Sequence, residues 1–308
     1  MTCNYFNVAV LLAAYNGREW IEEQINSILN QKNVIVTIYI SVDLSTDGTH
    51  DFIRELALTY KNMKVLPYGD RYGGAAPNFF RLIKDVDFSG FDYVSLADQD
   101  DIWNVDKLSN ACRLLSTNEY DAYSSNVMAF WENDARKLIN KAQPQVRFDY
   151  LFESSGPGCT FIFSKELALN IQDKLIDIGA RSKDILLHDW FTYSFARTNG
   201  YKWFIDTTPS MKYRQHSSNQ IGANVGFKSI YARAKFILGG EGFKKVLSQA
   251  IILKQERLRP IELLSSNNRF SFLRLAFYSF KCRRKLLDKI YFLILCVVMA
   301  IKGPIKYD

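Results

Sequence analysis

Four consecutive residues, Asp98-Gln99-Asp100-Asp101, sit inside the segment Ser95 to Trp103, SLADQDDIW. In an extended segment residues two apart point the same way, so Asp98 and Asp100 can face one ligand together. That pairing suits a hard divalent cation, Mg²⁺ or Mn²⁺, which takes carboxylate oxygens and keeps substrate phosphates in its shell. A lone Asp-x-Asp is more often a solvated turn or a helix cap. Here a buried apolar run precedes it and Trp103 follows, which favours the ligand. Upstream, Ile40 to Thr49 (ISVDLSTDGT) places Asp43 at the end of a β-branched run. A carboxylate there can accept hydrogen bonds from the imide of a pyrimidine base or from a ribose hydroxyl. Asp47, followed by Gly48 and Thr49, reads as a helix cap. Together the two clusters suggest a site for a sugar nucleotide held through a divalent metal.

These residues need a scaffold, and the pattern supplies one. Val8 to Ala14 (VAVLLAA) is apolar on both faces and predicts a buried strand. Asn16 stands three residues before Glu19, the spacing of a capping box, and Trp20, Ile21, Ile25, Ile28 and Leu29 follow at helical spacing. Val34 to Val42 predicts a second strand, with a helix from Asp47-Gly48 to about Tyr60. Met63 to Leu66 and Tyr93 to Ala97 are further strands, the latter ending at the Asp98 cluster. Strand and helix alternate, which implies an α/β fold with a mostly parallel central sheet flanked by helices. In such sheets ligands bind at the carboxyl ends of the strands, where both acidic clusters fall. Beyond them, Tyr120 to Ser125 and Cys159 to Phe163 read as strands around a polar stretch at Asn133 to Gln145. A helix over Asp189 to Thr198 and a strand over Lys202 to Ile205 follow. From about Gly226 the chain turns helical, basic and aromatic.

A chain of 308 residues with 48% hydrophobic content can bury one large core and a smaller appendage. The net charge of +7 is uneven: residues 228–308 carry 17 Lys/Arg against 5 Asp/Glu, and residues 1–227 carry 22 against 27. An acidic body argues against general nucleic-acid binding, and a basic tail favours an anionic surface. The five cysteines, Cys3, Cys112, Cys159, Cys282 and Cys296, form no CxxC pair and read as reduced thiols of a cytoplasmic protein. Val8 to Ala14 lacks the basic flank of a signal peptide. Ile290 to Ile301 has twelve apolar residues, short of the roughly 20 that span a bilayer, and reads as an interfacial or buried helix. Arg269 to Lys289 interleaves Phe270, Phe272, Phe277, Tyr278 and Phe280 with Arg274, Lys281, Arg283, Arg284 and Lys285, a composition that suits the headgroup plane of an anionic membrane.

Several segments taken in order resemble the inverting glycosyltransferases of family 2, and among them the bacterial rhamnosyltransferase-like group. They are LLAAYNGREWIEEQINSIL (11–29), ISVDLSTDGT (40–49), SLADQDDIWNVDKL (95–108), GPGCTFIFSKEL (156–167), HDWF (188–191) and YRQHSSNQIG (213–222). The resemblance implies a GT-A fold over residues 1–225 and a helical, membrane-associating region over 226–308. It implies that the stretch around Ala13, Ala14 and Tyr15 receives the base with Asp43, and that Asp98 touches the ribose. Gln99 lies between them on the donor side, and Asn78 matches a family asparagine near the donor. Asp100 is the implied metal ligand, with His216 completing the metal shell or meeting the diphosphate and Arg214 as a second phosphate contact. Asp189 stands where the family places its general base. Gly158 and Cys159 are expected to line the acceptor side, and Trp190 offers a ring for an acceptor sugar or a core residue at a helix start. Where the family usually has Asp-Asp-Gly-Ser, this chain has Val42-Asp43-Leu44-Ser45.

The implied reaction is metal-dependent transfer, with inversion, from dTDP-rhamnose or a UDP-hexose to a lipid-linked saccharide. The implied setting is capsule or O-antigen synthesis at the inner face of a bacterial plasma membrane. A nucleotidyltransferase would also use carboxylates and a metal, but no glycine-rich phosphate loop follows the first strand. A non-catalytic carbohydrate- or membrane-binding module fits the missing family residues at Val42 and Leu44, and Asp98, Asp100 and Asp189 oppose it. No GxGxxG follows a strand, which excludes a Rossmann dehydrogenase.

Overall fold

The computed structural model describes residues 5–216 and 240–303. Strand β1 (Phe6–Ala14) runs through the middle of the main sheet. Its alternate residues feed two separate cores: Ala9, Leu11 and Ala13 on one face, Val8, Val10, Leu12 and Ala14 on the other. That is why the strand is apolar throughout rather than alternating. After it come α1 (Ile21–Leu29), β2 (Val34–Val42), α2 (Thr49–Thr59), β3 (Met63–Val65), α3 (Ala75–Asp85) and β4 (Tyr93–Ala97). The chain continues with β5 (Ile102–Trp103), α4 (Lys107–Leu115), β6 (Ala122–Ser125), β7 (Val127–Phe130), β8 (Arg136–Ile139), β9 (Ile162–Ser164), α5 (Lys165–Ile178), α6 (His188–Thr198), β10 (Trp203–Asp206) and β11 (Met211–Arg214).

The main sheet has the order β10-β6-β9-β4-β1-β2-β3, parallel except for β9, which runs antiparallel between β4 and β6. A smaller sheet has the order β5-β11-β7-β8. With β2 on one side of β1 and β4 on the other, the topology reverses at β1. The loops after β1 and β4 therefore open a crevice at the carboxyl edge.

Three local expectations are corrected. Asn16 makes no capping box, because α1 starts later, behind Trp20, with no side-chain cap. Asn16 instead takes a left-handed conformation (φ 44°) and its Oδ1 accepts the Thr46 N–H at 2.9 Å. Gly158–Thr160 is a 3-10 turn, so the expected strand at Cys159 begins only at Ile162. The polar stretch at 133–145 contains β8, paired with β7 as a hairpin.

The tail folds as α7 (Glu241–Ile252), α8 (Arg259–Ser265), α9 (Arg269–Ala276), α10 (Ser279–Cys282) and α11 (Leu286–Lys302). Phe243, Phe272, Phe292, Cys296 and Met299 join the same buried cluster as Phe79, Phe161 and Phe191 of the sheet-bearing part. The outward stripe of α11 is nonetheless apolar: Leu287, Ile290, Tyr291, Ile294, Val298 and Ile301 are exposed. No helix among the described residues is long and apolar enough to cross a membrane.

Candidate active site

The Asp98 cluster begins where β4 ends, beside the loop that leaves β1. Gln99 straps the two together: its Oε1 accepts the Tyr15 N–H at 2.7 Å and its Nε2 donates to the Tyr15 carbonyl at 2.8 Å. Gly17 makes room for this strap, since a Cβ there would stand 2.2 Å from Gln99 Oε1. Asp100 meets His216, Oδ2 to Nε2 at 2.8 Å, and the His216 ring stacks on Trp20 with centroids 3.9 Å apart. Beside them lies a cavity of about 480 Å³ lined by Glu19, Trp20, Trp131, Glu132, Gln215 and His216.

Beneath this rim lies a floor of buried Asp101 and Cys159, with the partly exposed Asp98 at its edge. Ligand atoms of Asp98, Asp101 and Cys159 lie within 4.8 Å of one another. The buried Lys107 Nζ donates to the Cys159 carbonyl at 2.5 Å and sits 3.3 Å above the Trp103 ring. Burial, then the Asp100 charge, pushes the Asp98 carboxyl up to about 7, with Asp189 adding to the rise. Burial also holds Asp101 well above the usual carboxylate range, lifts the Cys159 thiol and pulls Lys107 down to about 7. Mg²⁺ and Mn²⁺ keep phosphate and water ligands, which a fully buried Asp101–Cys159 pair leaves no space for. The residues present fit such a cation at the Asp98–Asp100 rim beside His216.

Asp189 occupies the first turn of α6. Burial pushes its carboxyl up to about 6, opposed by the Trp190 N–H at 2.6 Å, by Lys141 and by the Ser154 hydroxyl. Its charge also adds to the rise at Asp98, so the two carboxylates lie close enough to interact. A carboxylate at that value is ionised at neutral pH yet basic enough to take a proton from a reacting hydroxyl. Its neighbour His188 stacks on Phe79 with centroids 4.0 Å apart, and burial drags it down to about 3, so the ring is neutral.

Ala13, the penultimate residue of β1, packs into the core with little exposure, and Tyr15, just past the strand, is half exposed. Other expected contacts take different positions. Asp43 is buried and its carboxylate accepts the N–H groups of Leu44, Tyr72 and Gly73, each at 2.8 Å, so it ties the turn after β2 to the loop at Tyr72-Gly73. Asn78 lies inside α3, where its Nδ2 donates to the carbonyls of Ala14 and Ser41 and ties the ends of β1 and β2. Arg214 is drawn to the rim as a brace: its Nε donates to the Asp100 carbonyl at 2.9 Å and its guanidinium pairs with Glu23.

Trp190 takes the core position: it is 7% exposed and its indole N–H donates to the Tyr150 carbonyl at 2.9 Å. Gly158 and Cys159 are buried rather than lining a surface, the glycine packed where a Cβ would meet His188 Nε2 at 2.2 Å and the cysteine in the floor. Of YRQHSSNQIG, the part after His216 lies outside the described residues. Sequence reasoning did not single out Lys107, Lys141 or Ser154. Lys107 follows the acidic cluster at the start of α4, and that position beside four acidic-cluster residues was the available signal.

Residues 9–174 match the family model described as Glycosyl transferase family 2. The chain belongs to that family. This glycosyltransferase is 44% identical over 288 residues to the dTDP-rhamnosyl transferase RfbG of Shigella flexneri, covering 93% of this chain and 99% of the relative. It is 28% identical over 176 residues to the Escherichia coli UDP-Glc:alpha-D-GlcNAc-diphosphoundecaprenol beta-1,3-glucosyltransferase WfaP, covering 55% of this chain and 65% of that protein. Among solved structures, S. aureus TarS residues 1–349 in complex with UDP-GlcNAc superposes with a TM-score of 0.59 at 16% identity, covering 96% of this chain and 81% of that one. That likeness bears on the fold of the transferase, which is the GT-A type expected above.

Proposed function

We propose that this transferase moves rhamnose from dTDP-rhamnose to a lipid-linked saccharide, with inversion at the anomeric carbon, in bacterial surface polysaccharide synthesis. The single observation that supports the mechanism is that the Asp189 charge raises the Asp98 carboxyl at the end of β4, so a carboxylate on α6 lies close enough to interact with the one at the sheet edge. The near full-length identity to a dTDP-rhamnosyl transferase supports the donor. The name of WfaP, whose acceptor is a diphosphoundecaprenol saccharide, supports a lipid-linked acceptor.

In this reading the Gln99–Tyr15 strap and the Asp43-held loop frame the nucleotide, and Asp98 reaches the ribose. Asp100 and His216 hold the divalent cation, which when bound offsets the charge of the departing nucleoside diphosphate. Asp189 accepts the proton of the acceptor hydroxyl as its oxygen attacks the anomeric carbon. The new C–O bond forms on the face opposite the bond that breaks to release dTDP, so configuration inverts in one displacement.

The tail brings residues 1–225 to the acceptor. The occupant of the α11 stripe is an anionic bilayer surface: an apolar face bordered by the exposed Arg269, Arg274, Lys281 and Lys285 matches acyl chains beneath acidic headgroups. The enzyme then lies on the inner face of the plasma membrane, where a lipid-linked acceptor is presented.

The test is transfer by purified protein from dTDP-rhamnose or UDP-glucose to a short-chain polyprenyl-diphosphate saccharide, with Mn²⁺ or with EDTA. Rhamnose transfer that needs the metal supports the reading. Transfer from UDP-glucose alone rejects the donor, and full activity in EDTA rejects the cation.

A further inference from the structure

The floor beneath the Asp100–His216 rim gathers a different donor set. Asp98 and Asp101, just past the end of β4, and Cys159, in the 3-10 turn before β9, each bring a ligand atom to within 4.8 Å of the others. Asp101 and Cys159 are fully buried. Asp101 Oδ1 accepts the Arg214 N–H at 3.2 Å, but Oδ2 is buried with no hydrogen-bond partner among the described residues. What shares the floor with it is the Cys159 thiol, at most a weak donor. Leaving a buried acceptor unmade is costly, and a bound cation is one way to satisfy it.

The donor set selects the ion. Mg²⁺ and Mn²⁺ prefer oxygen ligands and retain water, so a thiol in a dry floor disfavours them. Zn²⁺ takes sulfur at about 2.3 Å and carboxylate oxygen at about 2.0 Å in a tetrahedral shell, and thiolate favours such soft-tolerant ions over hard ones. Tetrahedral ligands at those lengths stand about 3.5 Å apart, so atoms already within 4.8 Å have little distance to close. Two carboxylates and a thiolate around a dication leave one surplus negative charge. Lys107, whose Nζ donates to the Cys159 carbonyl at 2.5 Å, is placed to offset it. The partly exposed Asp98 is the edge through which an ion enters.

We propose that Asp98, Asp101 and Cys159 form a second metal site, selective for a thiophilic dication of the Zn²⁺ class and distinct from the cation position at Asp100 and His216. Cys159 Sγ gives its proton to solvent as the metal–sulfur bond forms, so binding releases a proton and strengthens as the pH rises. An ion held there takes Asp98 away from the donor and inhibits transfer. That consequence rests on the reading of Asp98 as the ribose contact; the site itself does not.

The probe is Cd²⁺ alone, added to the full chain, because a cadmium–thiolate bond gives an ultraviolet charge-transfer band that carboxylates do not. Wild type is expected to develop the band with the first equivalent of Cd²⁺, and Zn²⁺ is expected to displace it. Cys159→Ala should lose that first equivalent. Asp101→Asn keeps the thiol but removes a charged ligand, so its band should need about tenfold more Cd²⁺ or beyond, since even outer-shell changes cost 10- to 100-fold in affinity. If Cys159→Ala does not fold, Asp101→Asn carries the test. Transfer from dTDP-rhamnose in excess Mn²⁺ should fall on adding Zn²⁺ to wild type and fall much less in Cys159→Ala. No stoichiometric band in wild type, or one unchanged in the folded variants, overturns the site. A band that behaves as expected while Zn²⁺ leaves transfer untouched overturns the ribose role of Asp98 instead. Absence of any rhamnose transfer overturns the proposed function, and the band still decides the site.

Discussion

Replacing Asp189 with Asn separates the work of its charge from the work of its shape. Asn keeps an oxygen to accept the Trp190 N–H at 2.6 Å, so local geometry is conserved. What disappears is an ionised carboxylate in a crevice where burial raises its pKa from 3.8 to about 6. At 1.36 kcal/mol per pKa unit this corresponds to about 3 kcal/mol, an upper bound for a group only partly shielded from water. The sign follows from linkage. The folded state binds the proton more tightly than the unfolded one, so the penalty is absent below about pH 4. It grows as the pH rises toward 6 and is complete above it. Asp189→Asn is therefore expected to melt several degrees higher than wild type at pH 8, with the difference closing near pH 4. Transfer should fall by about 10² to 10⁴, the usual contribution of a general base. Differential scanning calorimetry across pH, together with transfer assays, reads both. A variant that is less stable at pH 8, or a stability difference that does not change with pH, would refute the electrostatic argument.

Ile290→Asp combined with Ile294→Asp should abolish sedimentation with anionic vesicles while leaving the melting temperature within a degree or two, since both side chains face outward; binding that persists would rule out the α11 stripe as the membrane surface. Gly158→Ala should destabilise by about 1–3 kcal/mol, the range for overpacking, because its Cβ would lie 2.2 Å from His188 Nε2 and that ring is wedged against Phe79. An unchanged melting temperature would show that the ring has somewhere to go.

The sheet was legible because its strands obey a local rule. Val8–Ala14 and Val34–Val42 are apolar on both faces and lie buried between layers, and pattern alone reveals that. The acidic cluster at Asp98 was legible for the same reason, as charge following such a strand marks the carboxyl edge. Side-chain direction was not. Arg283 and Arg284 stand in a run of basic residues and look like any solvated cationic face; only the partners Glu153 and Asp149, far away in sequence, turn them inward. Trp190 is a similar case, since whether a ring at a helix start meets a sugar or a carbonyl depends on the Tyr150 backbone arriving from another segment. Asn16 has the spacing of a cap but itself takes the left-handed conformation, and the helix starts beyond its reach.

The shared core of the two halves bears on how such enzymes can diversify. Phe243, Phe272 and Phe292 pack into the cluster that also holds Phe79 and Phe191. A recombination event that exchanged one half for that of a distant relative would leave unmatched apolar surfaces on both sides of the seam. New specificity in this lineage is thus expected to arise by substitutions within the crevice and its loops, with the seam drifting only as matched pairs.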